Sequence, residues 1–135
     1  MITRILLMVL LAALAACSSG KETSTDNQVS IVDIQPPVSE VLQVGQDYLF
    51  SVSVEYLAVD PGSSISLVIQ QRSAGAVPIA YQSKEIEQGE GSVMFEANVT
   101  IPNTTRVSVF TPLSSKGAVS TTVVDDRGYD VEDNR

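Results

Sequence analysis

The side chains of this sequence that could do acid–base chemistry are almost all carboxylates. The 135 residues include sixteen Asp and Glu, one cysteine, no histidine and no tryptophan. Nucleophilic catalysis by Ser–His or Cys–His pairs needs an imidazole base, and zinc sites are built mainly from His and Cys. The composition therefore excludes both chemistries and leaves only reactions that carboxylates could carry out alone.

Three glutamates lie close enough in sequence to suggest such a reaction. A pair of carboxylates on either side of a sugar could hydrolyse a glycosidic bond, and Glu85, Glu87 and Glu90 are spaced within one short segment. The same spacing is typical of the solvated edge of a hairpin, which is the interpretation we adopt. We therefore expect a protein that is not an enzyme. A carboxylate-based hydrolase is an alternative that ranks below the two binding functions given at the end of this section.

The densest acidic cluster is Asp125-Asp126-Arg127-Gly128-Tyr129-Asp130. Carboxylate oxygens beside a glycine turn could bind calcium, which makes Asp125, Asp126 and Asp130 candidate ligands. The spacing does not match an EF-hand loop, and a charged, exposed end of the last strand is the interpretation that we adopt. We therefore predict no metal and no cofactor.

Aromatic residues are the remaining candidates for binding. Because the chain lacks tryptophan, a platform that stacks on a sugar or anchors a protein partner must come from Tyr or Phe. Sequence alternation assigns most of these rings to buried strand faces and leaves three as candidate binding residues: Tyr81, Phe110 and Tyr129. Packing in the core or under a loop is the interpretation that we prefer for all three.

The single cysteine ends an apolar run at the N-terminus. Arg4 is followed by residues 5–16, which contain no polar side chain, and the small residues Ala15 and Ala16 precede Cys17. A short cationic start, an apolar segment and small residues before a cleavage site describe a secretory signal. The run is shorter than the roughly 20 residues that a membrane-spanning helix needs. An ordinary signal peptide with an incidental cysteine remains an alternative.

The motif Leu14-Ala15-Ala16-Cys17 resembles the lipobox of bacterial lipoproteins. This resemblance implies a diacylglyceryl thioether on Cys17, cleavage between Ala16 and Cys17, and acylation of the new amine, for example by palmitate. Two or more acyl chains anchor a protein stably, so the membrane is an expected partner through Cys17. The family resemblance further implies a cell-envelope location. In a Gram-negative source this would be the outer membrane, because Ser18 stands where Asp tends to retain lipoproteins at the inner membrane.

Removal of the predicted signal peptide, residues 1–16, takes away one positive charge, Arg4, and changes the net charge from −8 to −9. An acidic surface repels phosphate backbones, so no nucleic-acid partner is expected. Residues 17–28 are predicted to be the lipidated cysteine and a flexible polar tether, and residues 29–135 a single domain. With no second cysteine, the domain must be stable without a disulfide.

Period-two alternation of apolar residues predicts an all-β domain. About seven strands with turn signals roughly every ten residues indicate an antiparallel β-sandwich. The expected strands are 29–34, with 42–44 as its continuation after a break, 48–57, 65–70, 79–86, 93–101, 107–109 before Pro112, and 119–123 after Gly117.

The order of these segments resembles immunoglobulin-like and fibronectin type III-like modules of bacterial surface proteins. The resembling features are Pro36-Pro37 after the first strand, the segment 45–56 and the strong alternation over 93–101. The Cys–Trp–Cys core of antibody domains is absent, so a true antibody-family domain is excluded, while a jelly roll or small barrel stays open.

These observations favour a lipid-anchored, non-enzymatic envelope module that binds a protein or has a structural role, with glycan binding as the alternative. Free strand edges would permit binding by strand addition. Four apolar residues on otherwise polar strand faces would form a contact patch if the fold brought them together: Leu49, Leu57, Val68 and Met94.

Overall fold

A computed structural model describes residues 26–72, 77–115 and 122–135 of the chain. Within these ranges there is no helix, and hence none that is long and apolar enough to cross a membrane. The ordered elements are eight strands: β1 Gln28–Gln35, β2 Leu42–Gln43, β3 Asp47–Ala58, β4 Ser63–Gln71, β5 Val77–Ile86, β6 Gly89–Thr100, β7 Arg106–Ser114 and β8 Thr122–Glu132.

The strands form two sheets. The three-stranded sheet has the order β1-β3-β6, and the five-stranded sheet has the order β2-β8-β7-β4-β5. All pairings are antiparallel except that of the two-residue β2 with β8. This arrangement confirms the predicted all-β, immunoglobulin-like sandwich of seven long strands. Because the strands form two separate sheets, the domain is not a closed barrel.

The core lies between the two sheets, where their inward faces meet. Alternate residues of β3, β4 and β7 are buried, as period-two alternation requires; they include Phe50, Val52, Val54, Ile65, Leu67, Ile69, Val107, Val109 and Leu113. The rings of Phe50 and Tyr129 pack edge to face, with centroids 5.5 Å apart. No buried side-chain nitrogen or oxygen in the described ranges lacks a hydrogen-bond partner, so packing is not offset by unsatisfied polar groups.

Proline-containing segments follow both β1 and β3. β1 ends at Gln35, immediately before Pro36-Pro37. Asp60-Pro61-Gly62 connects β3 to β4, and Gly62 adopts φ 75°, a left-handed conformation that favours glycine.

Several boundaries differ from the prediction. Segment 42–44 does not continue β1 but contributes β2 to the opposite sheet. β6 begins at Gly89, before the predicted start at residue 93, so Gly91 lies inside the strand. Asn27 is buried, and its Oδ1 accepts a hydrogen bond from Val59 N at 2.9 Å. The described domain therefore includes Asn27 and Gln28, the last two residues of the predicted tether.

Pro112 was expected to end a strand, but it lies inside β7. Proline lacks the N–H that a central strand donates to its neighbour. The β4–β7 ladder opens at this point, because its pairs Ile65–Leu113 and Val68–Phe110 flank a gap. The opening accommodates Pro112, and β7 continues to Ser114.

Candidate functional site

The outer face of the five-stranded sheet carries a band of apolar side chains. Tyr81, Val68 and Phe110 are cross-strand partners on β5, β4 and β7, and Pro112 pairs with Val124 in the next row of β7 and β8. We call these five residues the aromatic band. Tyr81 is 65% exposed and Val124 is 57% exposed. The fold thus brings together two of the three predicted binding aromatics, Tyr81 and Phe110, about 10 Å apart across two strand spacings.

Tyr81 lies along the sheet surface rather than projecting from it. Its hydroxyl is 3.3 Å from Ser66 Oγ on the neighbouring strand, and Ser66 Oγ donates a hydrogen bond to Ser83 Oγ at 3.2 Å. Hydrogen bonding to Ser66, and then to Ser83, lowers the pKa of Tyr81. The ring is therefore held in place with one side open to solvent.

Arg72 covers part of the half-buried Phe110. Its guanidinium carbon is 5.3 Å from the centre of the Phe110 ring, within the range of a cation–π interaction. Arg72 N donates a hydrogen bond to Arg106 O at 3.0 Å, which fixes the end of β4 beside β7. Arg106 pairs with Asp130 at 3.4 Å on the exposed surface. The band is thus bounded by arginines at this end of the sheet.

Tyr129 is not a surface residue, which corrects its assignment as a candidate binding residue. It is fully buried against Phe50, and its hydroxyl donates a hydrogen bond to Pro36 O at 2.6 Å. Burial, together with the negative charge of Glu40, raises the pKa of Tyr129 well above its usual range. The sequence analysis predicted that the last strand ends at residue 123, before Tyr129. It therefore did not show that Tyr129 and Val131, two residues apart on β8, both face the core.

The acidic cluster of β8 is divided between the two faces of the sheet. Asp125 Oδ2 accepts a hydrogen bond from Ile31 N at 2.8 Å, and Asp125 Oδ1 pairs with Arg127 Nη1 at 3.0 Å. Arg127 Nη2 donates to Ile31 O at 3.0 Å. Asp126 and Asp130 point to the outer face. The three predicted calcium ligands therefore do not converge, and no group of three metal-ligating side chains occurs in the described ranges.

The Asp125–Arg127 pair instead forms a clasp between the two sheets, because both side chains bind the backbone of Ile31 on β1. Burial alone would raise the pKa of Asp125, but hydrogen bonds from Ile31 N, Asp126 N and Arg127 outweigh it and lower the pKa. Asp125 thus has a structural role that depends on its ionised form.

The three glutamates considered for hydrolysis are also separated. Glu85 pairs with Ser64 on the five-stranded sheet, whereas Glu90 pairs with Leu57 on the three-stranded sheet. Glu87 lies in the connection between β5 and β6. Glu85 and Glu90 therefore do not lie on a common face.

The outer face of the three-stranded sheet is acidic. β1, β3 and β6 contain no Lys or Arg, and their outward carboxylates are Asp33, Asp47, Glu55, Glu90 and Glu96. A shallow concavity of about 620 Å³ crosses one end of this face, between Gln28, Glu55 and Glu90. Leu49 and Met94 are exposed here and do not pair with each other. Of the four apolar residues singled out in the sequence, only Val68 joins the aromatic band.

Side chains bind some of the backbone groups at both open edges of the three-stranded sheet. The clasp occupies the N–H and C=O of Ile31 on β1. At the opposite edge, Gln82 Nε2 donates to Glu96 O at 2.6 Å and Lys84 Nζ donates to Met94 O on β6.

The edges of the five-stranded sheet are protected as well. β5 contains Pro78 and a bulge at the neighbouring residue, where Ile69 pairs with Ala80 and Gln70 pairs with Pro78. On β2, Gln43 N donates to Tyr48 Oη at 2.9 Å. Proline, bulges and inward charges are the devices that prevent edge-to-edge pairing. These features occupy or interrupt part of each edge, and they make strand addition less favourable at those positions.

Sequence reasoning missed part of the band. Arg72, Pro112 and Val124 were not candidates, because β7 was expected to end at Pro112 and β8 to end soon after residue 123. Continuing the period-two parity of Val107 and Val109 through Pro112 would have assigned Pro112 to the same outward face as Phe110. The predicted lipobox residues Leu14, Ala15, Ala16 and Cys17 lie outside the described residues.

Comparisons with known proteins add three structural likenesses. No protein-family model matches the chain, and no curated protein matches it. The C-terminal domain of wzt is similar over 79% of this chain and 71% of its own length, at 11% identity and a TM-score of 0.45. The β-glucosidase from Listeria innocua, in complex with isofagomine, is similar over 78% of this chain at 18% identity and a TM-score of 0.45. In complex with gluconolactone, the same enzyme gives a TM-score of 0.43 at 18% identity.

This chain corresponds to 16% of the length of the β-glucosidase. The fold assignment rests on the strand order of the two sheets and on their register.

Proposed function

We propose that this chain is a lipid-anchored, non-enzymatic envelope protein whose aromatic band binds another protein. The observation that carries the proposal is the exposure of Tyr81 and Val124 in one contiguous apolar band. The other outer face is acidic, and its exposed apolar residues Leu49 and Met94 do not pair with each other. Exposed apolar patches rimmed by polar residues are typical of protein interaction sites, and Tyr and Arg are the residue types that dominate their binding energy.

The partial occupation of the strand edges supports a face as the binding surface. Partners that add a strand need free N–H and C=O groups along an edge. Here the Ile31 backbone and the Glu96 and Met94 carbonyls already bind side chains of the same domain. On the outer face of the five-stranded sheet, the aromatic band joins the exposed side chains of Tyr81 and Val124 through Val68, Phe110 and Pro112.

Membrane attachment is proposed from the lipobox resemblance at Cys17, with the cell envelope, and the outer membrane in a Gram-negative source, as the location. The test is mass spectrometry of the mature protein. We expect an N-terminus at Cys17 that carries acyl groups, and an uncleaved, unmodified precursor for Cys17→Ala. An unacylated mature N-terminus at another residue would refute this part of the proposal.

The binding surface is tested by photo-cross-linking in intact cells. A photoreactive amino acid at position 81 is expected to give a discrete protein adduct that mass spectrometry identifies. The matched control is the same amino acid at position 49, because Leu49 is 54% exposed on the opposite outer face and is expected to give none. If position 81 gives no adduct, or the same adduct as position 49, the band is not a protein-binding surface.

One observation favours glycan binding as a second candidate. The Tyr81 ring lies flat on the sheet beside the hydroxyls of Ser66 and Ser83, and a fixed aromatic ring flanked by hydrogen-bonding groups suits the apolar face of a sugar. A glycan array with wild type, Tyr81→Ala and Tyr81→Phe tests this candidate. Binding that Tyr81→Ala loses and Tyr81→Phe keeps would support it, and binding by none of the three proteins would exclude it.

A further inference from the structure

We infer that the outer face of the three-stranded sheet docks a basic, extended segment of a partner protein, whose Lys or Arg side chains pair with Glu90, Glu55 and Asp33. We call these three carboxylates the acidic diagonal. They lie on the face opposite to the aromatic band, so the inference goes beyond the proposed function and does not depend on it. Its basis is the spacing of the three carboxylates, their lack of a cationic partner within the described ranges, and the shape of the surface between them.

The three carboxylates follow a regular line across the sheet. Along β3 they occupy three successive outward rows, because Glu90 pairs with Leu57, Glu55 is in the next row, and Asp33 pairs with Ser53. Diagonal neighbours of this kind are about 7–8 Å apart. Alternate side chains of an extended peptide point to the same side and are about 6.6 Å apart. Basic residues at every second position of such a peptide therefore match the acidic diagonal.

A β-bulge places Asp33 on this line. The register of β1 shifts between Ile31 and Asp33. Ile31 is buried and Ile34 packs against the core, whereas the two residues between them are exposed. In a regular strand, residues 31 and 33 would share one face. The extra residue turns Asp33 outward, and bulges next to functional sites re-aim side chains in this way.

The described part of the fold leaves the charges of the acidic diagonal without a cationic partner. The ion pairs in the described ranges join arginines to Asp125, Asp130 and Asp133 instead. At the two edges of this sheet, Lys84 donates to a backbone carbonyl of β6 and Arg127 binds Asp125. Like charges on neighbouring strands are destabilising. A cationic partner would remove this cost and add attraction of its own.

The surface between the carboxylates suits long basic side chains. The concavity of about 620 Å³ at this end of the face is lined by Glu55 and Glu90, with Leu57 half-buried between them. The apolar surface of Leu57 can contact the methylene stem of Lys or Arg, while the charged end reaches a carboxylate. Ser30 and Ser92 line the same concavity, and their small side chains allow a peptide backbone to approach closely.

The spacing selects a chain of separate cations over a single metal ion. Calcium needs six to eight oxygens within about 2.6 Å, whereas the carboxylates of the acidic diagonal are about 7–8 Å apart. No group of three metal-ligating side chains converges in the described ranges. Nucleic acids and anionic lipids are repelled by a face of this sign. A basic protein segment carries separate cations at the required intervals.

The first test measures binding of a fluorescently labelled Lys-Ser-Lys-Ser-Lys peptide to the full chain in a non-ionic detergent, by fluorescence anisotropy. Combined Glu55→Gln and Glu90→Gln changes are expected to weaken binding by roughly fivefold to thirtyfold, since two exposed ion pairs are lost. The matched control combines Asp126→Asn and Glu132→Gln, which remove the same charge from exposed positions of β8. This control is expected to stay within about twofold of wild type, because distant charges are screened.

Two results of this test would overturn the inference. Equal weakening by both double variants would show non-specific attraction to an acidic protein. No binding of the lysine peptide by wild type, or binding no tighter than that of a Glu-Ser-Glu-Ser-Glu peptide, would show that the face docks no basic segment.

The second test changes only the spacing of the cations. A Ser-Lys-Lys-Lys-Ser peptide has the same composition, but its central lysine points away from the side that carries the other two. It is expected to bind roughly twofold to fivefold more weakly than the alternating peptide, because one exposed ion pair is lost. Equal affinity of the two peptides would refute pairing along the acidic diagonal.

This inference and the proposed function can fail separately. Tyr81→Ala is expected to leave binding of the lysine peptide unchanged, and the Glu55→Gln, Glu90→Gln variant is expected to keep the photoadduct at position 81. Leu49 lies four residues from Ser53 along β3, about 13 Å beyond the last row of the acidic diagonal. It therefore remains a valid control for the aromatic band.

Discussion

Removal of the Tyr129 hydroxyl tests how the two sheets are held together at the end of β1. Tyr129 Oη donates a hydrogen bond to Pro36 O at 2.6 Å, and the side chain has no solvent exposure. Tyr129→Phe keeps the ring in its edge-to-face contact with Phe50 but leaves the Pro36 carbonyl without this donor. Loss of one buried hydrogen bond, with its acceptor left buried, costs about 1–2 kcal/mol of unfolding free energy.

The same variant has a signature at high pH. Burial raises the pKa of Tyr129 in the folded protein, whereas in the unfolded chain it ionises near pH 10. Below pH 10 the wild type therefore keeps the full contribution of the Tyr129 hydroxyl to the free energy of unfolding. Above pH 10 this free energy falls by about 1.4 kcal/mol per pH unit, until the pKa of Tyr129 in the folded state is reached. Tyr129→Phe has no such loss, so the stability gap between the two proteins narrows to near zero at about pH 11.

Urea unfolding of both proteins at pH 7 and at pH 11 measures this gap. The control is Tyr81→Phe, because hydrogen bonding lowers the pKa of the exposed Tyr81. The difference in unfolding free energy between wild type and Tyr81→Phe is therefore not expected to narrow from pH 7 to pH 11. Equal stability of Tyr129→Phe and wild type at pH 7, or a gap independent of pH, would show that Tyr129 Oη does not hold Pro36.

Three further predictions concern the clasp, the three-stranded sheet and the acidic cluster. The ionised Asp125 contributes stability to the wild type above about pH 4, and this contribution is lost as the pH falls through the lowered pKa of Asp125. Asp125→Asn is expected to lack this contribution, which thermal unfolding from pH 7 to pH 3 measures. Asp126→Asn, at an exposed position, is the control and is expected to keep the wild-type profile. Gly91→Ala is expected to destabilise by about 1–3 kcal/mol, because a Cβ there would lie 2.4 Å from Tyr56 Oη; urea unfolding measures it, and an unchanged midpoint would contradict the packing. Millimolar calcium is expected to leave the melting temperature unchanged, because the β8 carboxylates do not converge; a rise that Asp126→Ala abolishes would contradict this.

Local sequence pattern was sufficient to predict the class of fold. Period-two alternation over residues 48–57 and 93–101 predicts β3 and β6, because a sheet with one buried face needs apolar residues at every second position. Proline at 36 and glycine at 62 mark ends of strands for local steric reasons.

The extent of β7 and β8 could not be predicted in this way. Pro112 and the charged run 125–130 are unfavourable for a strand when considered alone. They lie in strands because neighbours compensate: the β4–β7 ladder opens at Pro112, and Asp125 and Arg127 bind the backbone of Ile31. Both compensations come from residues far away in sequence.

The sequence by itself determined the chemistry available to this protein. It also determined which side chains along a strand alternate between a buried and an exposed face. No histidine, one cysteine and an excess of carboxylates limit its reactions before any folding is considered. Only the tertiary structure decided that Tyr81 and Phe110 share an outer face while Tyr129 is buried. The physical reason is that parity along a strand is a local property, whereas the neighbours of each face depend on the order in which distant strands pair.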